Sequence, residues 1–266
     1  MLCIAAILGL SKCFLNRINM NIIGVIPARW GSTRLPGKSL VNLCGKPMVQ
    51  WVVERAMEVR SLSRVIVATD DERIKNVVES FGGVAVMTRV NHPSGTDRIA
   101  EAVEGFPNAD LVVNLQGDEP LLDPAMVDKL IELMVGDSSW DMGTAATLIT
   151  LDEDLSDPSV VKVVWDENHR ALYFSRSLIP FVRDDDIDVN HWRHLGLYVY
   201  RDEFLKRMVA APPCELEKIE KLEQLRALHL GAKMVVVETD DKGIGVDTPA
   251  DIERAERLLR KAENNG

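Results

Sequence analysis

The sequence predicts an α/β protein with a Rossmann-like, doubly wound and mostly parallel sheet that carries an antiparallel insertion subdomain. Three observations make that prediction. Apolar runs of strand length alternate with amphipathic stretches of helical period from Asn21 to Thr150, the pattern of repeated βαβ units with parallel neighbours and right-handed crossovers. Strand-like runs then follow one another from Asp152 to Tyr200 without convincing helices between them. Loops with glycine, proline and charged residues follow the runs that end at Ile26 and Asn114, and the carboxyl ends of strands are where such sheets bind ligands.

Taken in order, Asn21–Ile26 is a continuous apolar run closed by Pro27, as in a strand buried on both faces. Met48, Val49, Val52, Val53 and Ala56 recur at helical spacing within Lys46–Val59, with Met48 and Trp51 on the core face. A second strand, Arg64–Thr69, is followed by Asp70-Asp-Glu-Arg, an acidic helix start suited to the positive end of a helix dipole. After the Gly82-Gly83 break come a strand at Val84–Met87, a helix at about Thr96–Val103 and a strand at Asp110–Asn114. A helix at Asp123–Val135 and a strand at Thr144–Thr150 complete the alternating part. The insertion supplies strands at Val160–Trp165, Ala171–Phe174 and Leu195–Tyr200, and its acidic run Asp184–Asp188 reads as a solvated loop. Helices are expected at Asp202–Ala210, Cys214–Leu230 and Thr248–Leu259, with a strand at Met234–Val237.

The chain has 266 residues, of which 46% are hydrophobic and 27% charged, an ordinary globular mix that rules out disordered, collagenous and low-complexity classes. Residues 20–266 read as one domain with the insertion at about 152–200. Against 41 Asp and Glu stand 31 Lys and Arg, a net charge of −10. Such a field repels nucleic acid polymers and anionic membranes, so neither is expected as a partner. Cys3, Cys13, Cys44 and Cys214 form no CxxC pair and have no His at zinc-ligand spacing, which points to a reducing, cytoplasmic location and no structural metal. Leu2–Leu10 is apolar but too short to span a bilayer and fits no secretory pattern. Met20 is therefore the expected start, with residues 1–19 a non-native or disordered extension.

The chemistry concentrates in Pro27-Ala-Arg-Trp-Gly-Ser-Thr-Arg-Leu-Pro-Gly-Lys-Ser39. No carboxylate occurs before Glu54, whereas Arg29, Arg34 and Lys38 share one loop after the first strand. Gly31 and Gly37 let backbone N–H groups approach an oxyanion, and three fixed cations neutralise a polyphosphate. A Walker A loop is excluded, because five residues rather than four separate Gly31 from Gly37 and one of them is Pro36. Asn114-Leu-Gln-Gly-Asp-Glu-Pro120 places Asp118 at another strand's carboxyl end, suited to a hard divalent cation. Asp247, within Gly243-Ile-Gly-Val-Asp-Thr-Pro249, reads as a helix N-cap by itself, and as a second metal ligand if its turn folds back beside Asp118. His191 and His194 fall on opposite strand faces or in a loop and read as satisfied histidines rather than zinc ligands.

These motifs, with Ala171-Leu-Tyr-Phe-Ser-Arg176, Arg193-His-Leu-Gly196, Leu222-Glu-Gln-Leu-Arg226 and Gly245-Val-Asp-Thr-Pro249, run in order from Met20 to about Arg260. Together they resemble the 3-deoxy-manno-octulosonate (Kdo) cytidylyltransferases, a branch of the nucleotide-diphospho-sugar transferase-like superfamily. The resemblance implies a magnesium-dependent homodimer that transfers CMP from CTP to Kdo for lipopolysaccharide synthesis, releasing pyrophosphate. It implies that Arg29, Lys38 and Asp118 are catalytic and that Asp118 and Asp247 hold Mg2+. For CTP it implies Arg29, Arg34, Lys38, Arg89, Ser94, Gly95, Thr96 and Gln116; for Kdo, Arg176, His194, Tyr198, Glu223 and Gln224. Trp30-Gly31 departs from the Tyr-Ala of many relatives. Glu223 and Gln224 lie on an expected helix, where exposure is the default. A related acceptor sugar, or a nucleotide-binding regulator without catalysis, are the competing readings.

Overall fold

Five consecutive buried residues, Ile22 to Ile26, begin strand β1 (Ile22–Ala28). A strand with no wet face sits inside a sheet, and β1 pairs in parallel with β4 (Arg64–Thr69) on one side and β6 (Leu111–Asn114) on the other. The structure, a computed structural model, describes residues 20–31, 35–184, 187 and 189–265. The expectations for Met1–Asn19, for Arg34 and for three aspartates of the 184–188 run lie outside the described residues.

The chain divides into two units, residues 1–128 with 243–266, and residues 129–242. In the first unit β5 (Ala85–Met87) pairs in parallel with β4, so the order is β6-β1-β4-β5 and every neighbour is parallel. Helices α1 (Met48–Met57), α2 (Glu72–Ser80) and α3 (Gly95–Val103) make the connections. Asp71 caps α2 by accepting from the Arg73 N–H, and Ser94 caps α3 by accepting from the Asp97 N–H. A two-residue hairpin, β2 (Asn42–Leu43) and β3 (Lys46–Pro47), precedes α1 and escaped the sequence reading. Its turn residues Cys44 and Gly45 both have positive φ, 49° and 89°.

Met48 and Trp51 are core residues, as their spacing predicted. They pack with Leu43, Val246, Ala255 and Leu259, and the Trp51 Nε1–H donates to the Leu43 carbonyl at 2.8 Å. Val246, Ala255 and Leu259 belong to the returning chain and the last helix, which therefore completes the first unit's core.

Helix α4 (Pro124–Gly136) leads into the second unit. There β7 (Met142–Leu148) is flanked by β11 (Met234–Thr239) in parallel and by β10 (Trp192–Arg201) antiparallel. A short helix α5 (Asp152–Ser156) precedes β8 (Lys162–Trp165), which pairs antiparallel with β9 (Ala171–Ser175). Strand β10 touches β8 at Arg193↔Lys162 but runs its length along β7. The α/β class with parallel strands and an antiparallel component is thus what the chain adopts.

After α6 (Asp202–Ala210), the expected single helix Cys214–Leu230 is two helices, α7 (Glu215–Glu220) and α8 (Gln224–His229). Lys221 adopts a left-handed conformation with φ 55° and ends α7. No glycine or proline marks the break. It is held by Arg226, whose Nε and Nη2 donate to both Glu217 carboxylate oxygens at 2.8 and 2.5 Å. Helix α9 (Pro249–Asn265) closes the first unit. Among the described residues no helix is long and apolar enough to cross a membrane.

Candidate active site

A cavity of about 360 Å³ opens at the carboxyl ends of β1 and β6, lined by residues of the first unit. Pro27, Arg29, Lys38 and Ser39 come from the loop after β1, and Gln116, Gly117 and Asp118 from the turn after β6. His92, Pro93, Ser94, Gly95 and Arg98 come from the start of α3, and Asp247 from the turn before α9.

Lys38 stands at the centre. Its Nζ donates to Asp118 Oδ2 at 2.5 Å and to Asp247 Oδ1 at 2.6 Å. One ammonium thus joins two carboxylates that lie far apart in the sequence. Main chain fixes the same pair, because the Val246 N–H donates to the Asp118 carbonyl at 2.9 Å. The Asp247 turn therefore folds back beside Asp118, the condition under which the sequence made it a metal ligand. The residue immediately before α9 is Thr248, whose Oγ1 accepts from the Asp251 N–H at 3.4 Å as a helix cap does. Asp251 Oδ2 accepts from the N–H groups of both Asp247 and Thr248, at 3.1 and 2.8 Å.

Glycine is required at two positions beside these groups. A Cβ on Gly117 would lie 2.6 Å from the Pro27 carbonyl oxygen, so only glycine lets the Asp118 turn rest on the end of β1. Gly37 has φ +67°, and a Cβ there would meet the Trp30 ring at 3.0 Å. Its N–H does not point to an oxyanion, as expected from the sequence, but donates to the Trp30 carbonyl at 3.3 Å and closes the loop on itself. Gly31 meets nothing within 4 Å.

The structure brings Arg29, Lys38, Ser94, Gly95, Gln116, Asp118 and Asp247 to one cavity. Two residues assigned to the nucleotide do not line it. Arg89 is exposed and its Nε pairs with Glu101 at 2.9 Å, which directs the guanidinium to α3. Thr96 is buried, at 2% exposure. Arg34 lies outside the described residues. His92 and Arg98 were missed. His92 is hydrogen-bonded to Glu101, and Arg98 forms a buried pair with Asp70 at 2.8 Å while donating to Thr88 Oγ1. Burial pushes the Glu101 carboxyl up, but hydrogen bonds from Arg89 and His92 outweigh it and hold its pKa below the ordinary value. The one sequence signal for His92 was its place two residues before Ser94.

The acceptor-side candidates lie in the second unit. His194 and Tyr198 share β10 with ring centroids 5.5 Å apart, and Phe174 meets His194 edge-on at 4.9 Å. His194 Nε2 is hydrogen-bonded to Thr144 Oγ1 at 3.0 Å, and His191 Nδ1 to the Ile179 carbonyl at 3.2 Å. Both histidines are thus satisfied by polar contacts. Burial, aided by the Arg193 charge, pushes the His194 pKa down to about 3, so the ring is neutral. Burial, with Tyr200 and Glu223 nearby, pushes Tyr198 well above its usual value. Glu223 sits at the break before α8, 3.7 Å from Arg226, and Gln224 is buried at 4% exposure rather than solvated. Arg176 donates to the carbonyls of Glu220, Lys221 and Pro158, which ties its guanidinium to the segment just before Glu223.

Asp118 and Asp247 fit a hard divalent cation. They offer carboxylate oxygens within reach of a single cationic atom, beside Arg29 in an open cavity. Among the described residues no three His, Cys, Asp or Glu side chains cluster as a metal cage. A pair of carboxylates completed by phosphate oxygens and water is the donor set Mg2+ usually takes.

Similarity to known proteins agrees with this geometry. The cytidylyltransferase family pattern matches residues 23–242. The 3-deoxy-manno-octulosonate cytidylyltransferase of Trichlorobacter lovleyi is 48% identical over 252 residues, covering 91% of this chain and all of that one. That of Thermodesulfovibrio yellowstonii is 50% identical, covering 90% and 98%. A solved CMP:2-keto-3-deoxy-manno-octonic acid synthetase complexed with CTP superposes with a TM-score of 0.87 at 42% identity, covering 91% of this chain and 99% of that one. The chain belongs to the cytidylyltransferase family, in its 3-deoxy-manno-octulosonate branch.

Proposed function

We propose that the protein transfers CMP from CTP to Kdo, releasing pyrophosphate and activating the sugar for lipopolysaccharide synthesis. The observation that carries this reading is the junction of Lys38 with Asp118 and Asp247 in a cavity that Arg29 also lines. Its relatives and its solved counterpart bear the same activity in their names.

The anomeric 2-hydroxyl oxygen of Kdo attacks the α-phosphorus in line. The new O–P bond forms as the bond to the β-phosphate oxygen breaks, pyrophosphate leaves with the electron pair, and the hydroxyl proton passes to solvent. A triphosphate and an acidic sugar repel each other, so the site's first task is to supply positive charge. Arg29 and Lys38, with Arg34, hold the triphosphate and stabilise charge that builds on the α-phosphate and the leaving group. Ser94, Gly95 and Gln116 line the nucleoside side. His92 joins them, oriented by Glu101. Asp118 and Asp247 would hold Mg2+, which when bound would supply further neutralisation of the same charge. Arg176, His194, Tyr198, Glu223 and Gln224 contact Kdo, with His194 acting as a neutral hydrogen-bonding group.

We further propose a homodimer. Leu178, Phe181 and Ile187 are 39%, 85% and 56% exposed within one short segment, an apolar concentration that a monomer has no reason to present. Phe181→Asp should shift a dimer to monomer in sedimentation, and an unchanged mass would rule this surface out.

The central test is pyrophosphate release with CTP, Mg2+ and Kdo, run beside sialic acid and amino-substituted Kdo. Kdo should be the preferred acceptor. Lys38→Ala and Asp118→Ala should each lower turnover on the order of 10²-fold or more with the fold intact. Near-normal turnover in either variant contradicts its role.

A further inference from the structure

We propose that Arg73, a residue outside the cavity, positions the nucleotide loop by stacking on Trp30. Its guanidinium carbon lies 3.3 Å from the centroid of the Trp30 ring. Resting on the nucleotide-site reading above, this makes Arg73 a positioning residue for CTP.

The guanidinium is itself held in place. Its Nε and Nη2 donate to the two oxygens of Asp71 at 2.8 and 2.6 Å, and Asp71 is the residue that caps α2. A helix start therefore fixes the orientation of the cation, and the cation fixes the indole. The indole in turn abuts Gly37, as the 3.0 Å contact of a hypothetical Cβ shows. The Trp30 carbonyl accepts from the Gly37 N–H, and the Trp30 N–H donates to Asp70 Oδ1 at 3.3 Å. Trp30 follows Arg29 and Gly37 precedes Lys38. The stack thus pins both ends of the segment whose flanking cations line the cavity.

Two anchors act on Trp30 at different places: Asp70 on its backbone and Arg73 on its ring. Loss of Arg73 leaves the backbone anchor and the buried Asp70–Arg98 pair intact, so the fold should survive while the loop ends loosen. An aromatic-cation contact at an exposed site corresponds to a change of about twofold to fivefold in an equilibrium constant.

The test is calorimetric titration of full-length protein with CTP, together with steady-state kinetics. Arg73→Met should weaken CTP binding about twofold to fivefold and raise KM for CTP by the same factor. Its kcat and melting temperature should stay at wild-type values. Arg73→Lys should recover most of the loss by restoring a cation over the ring. In a Trp30→Leu background Arg73→Met should have no further effect, which separates stacking from simple attraction between Arg73 and the triphosphate. Unchanged CTP affinity in Arg73→Met, or an equal loss in the Trp30→Leu background, overturns the proposal. Failure of the wild-type protein to bind CTP would instead remove the nucleotide-site reading, and the proposal with it.

Discussion

Replacing Lys38 with methionine should tighten the binding of a divalent cation to the protein in the absence of nucleotide. Lys38 Nζ occupies the space between Asp118 and Asp247 that a cation would need, 2.5 and 2.6 Å from their oxygens. A cation entering alone must break both contacts or share the space with an ammonium. The lysine is 13% exposed and the two carboxylates 31% and 40%, so each pair is partly screened and contributes about 0.2–1 kcal/mol. Together they oppose metal entry by roughly 0.4–2 kcal/mol, a factor of about 2 to 30 in the binding constant. The mutual repulsion of two carboxylates without their lysine works in the same direction. Free Mn2+ measured by electron paramagnetic resonance during titration reads this directly and does not depend on turnover. Lys38→Met should bind Mn2+ at least about twofold more tightly than wild type, and Lys38→Met/Asp118→Asn should lose the gain. With CTP present the wild type should close the gap, because phosphates offer the lysine another partner. Equal or weaker Mn2+ binding by Lys38→Met without nucleotide would refute the competition.

Three further outcomes are expected. Gly117→Ala should lower unfolding free energy by about 1–3 kcal/mol through overpacking against Pro27, and lower turnover by displacing Asp118, whereas Gly31→Ala should change neither; urea unfolding and the pyrophosphate assay distinguish the two. With the His194 pKa at about 3 against an ordinary 6.5, the unfolded chain binds more protons than the folded one between those values. Stability should therefore fall as pH drops from 6.5, by up to about 2 kcal/mol at pH 5, and His194→Gln should flatten that slope in urea unfolding followed across pH. Arg226→Met should strip Glu217 of its bidentate partner inside a shielded pair and lower stability by about 3–5 kcal/mol; a melting temperature unchanged from wild type would show that the break at Lys221 holds without it.

The strands were legible because their physics is local. Ile22–Ile26 and Arg64–Thr69 are apolar runs that only a covered sheet accommodates, and the loop cations follow directly in the chain. What escaped the reading depended on distant partners or on backbone geometry without a residue signature. The hairpin at Asn42–Pro47 has strands of two residues, too short for any period. Lys221 breaks a helical pattern with no glycine or proline to announce it. Arg89 was implied as a nucleotide contact by resemblance alone, and its pairing with Glu101, on the next helix, had no local signal in the sequence; the same carboxylate gives His92 its orientation. Gln224 was expected in solvent because helical residues usually are, yet the broken helix buries it. Asp247 was not separable in sequence from the cap position, which Thr248 fills by accepting from the Asp251 N–H.

The backbone bond from Val246 to Asp118, and the cover that Ala255 and Leu259 give to Met48 and Trp51, impose a timetable on biosynthesis. The chain up to Asp128 leaves the ribosome with Asp118 in hand and an uncovered apolar face, and 114 residues of the other unit must be made before the missing pieces arrive. A nascent or truncated chain ending before Gly243 carries the cationic loop and Asp118 but lacks Asp247, so the paired acids come together only after the other unit has been made.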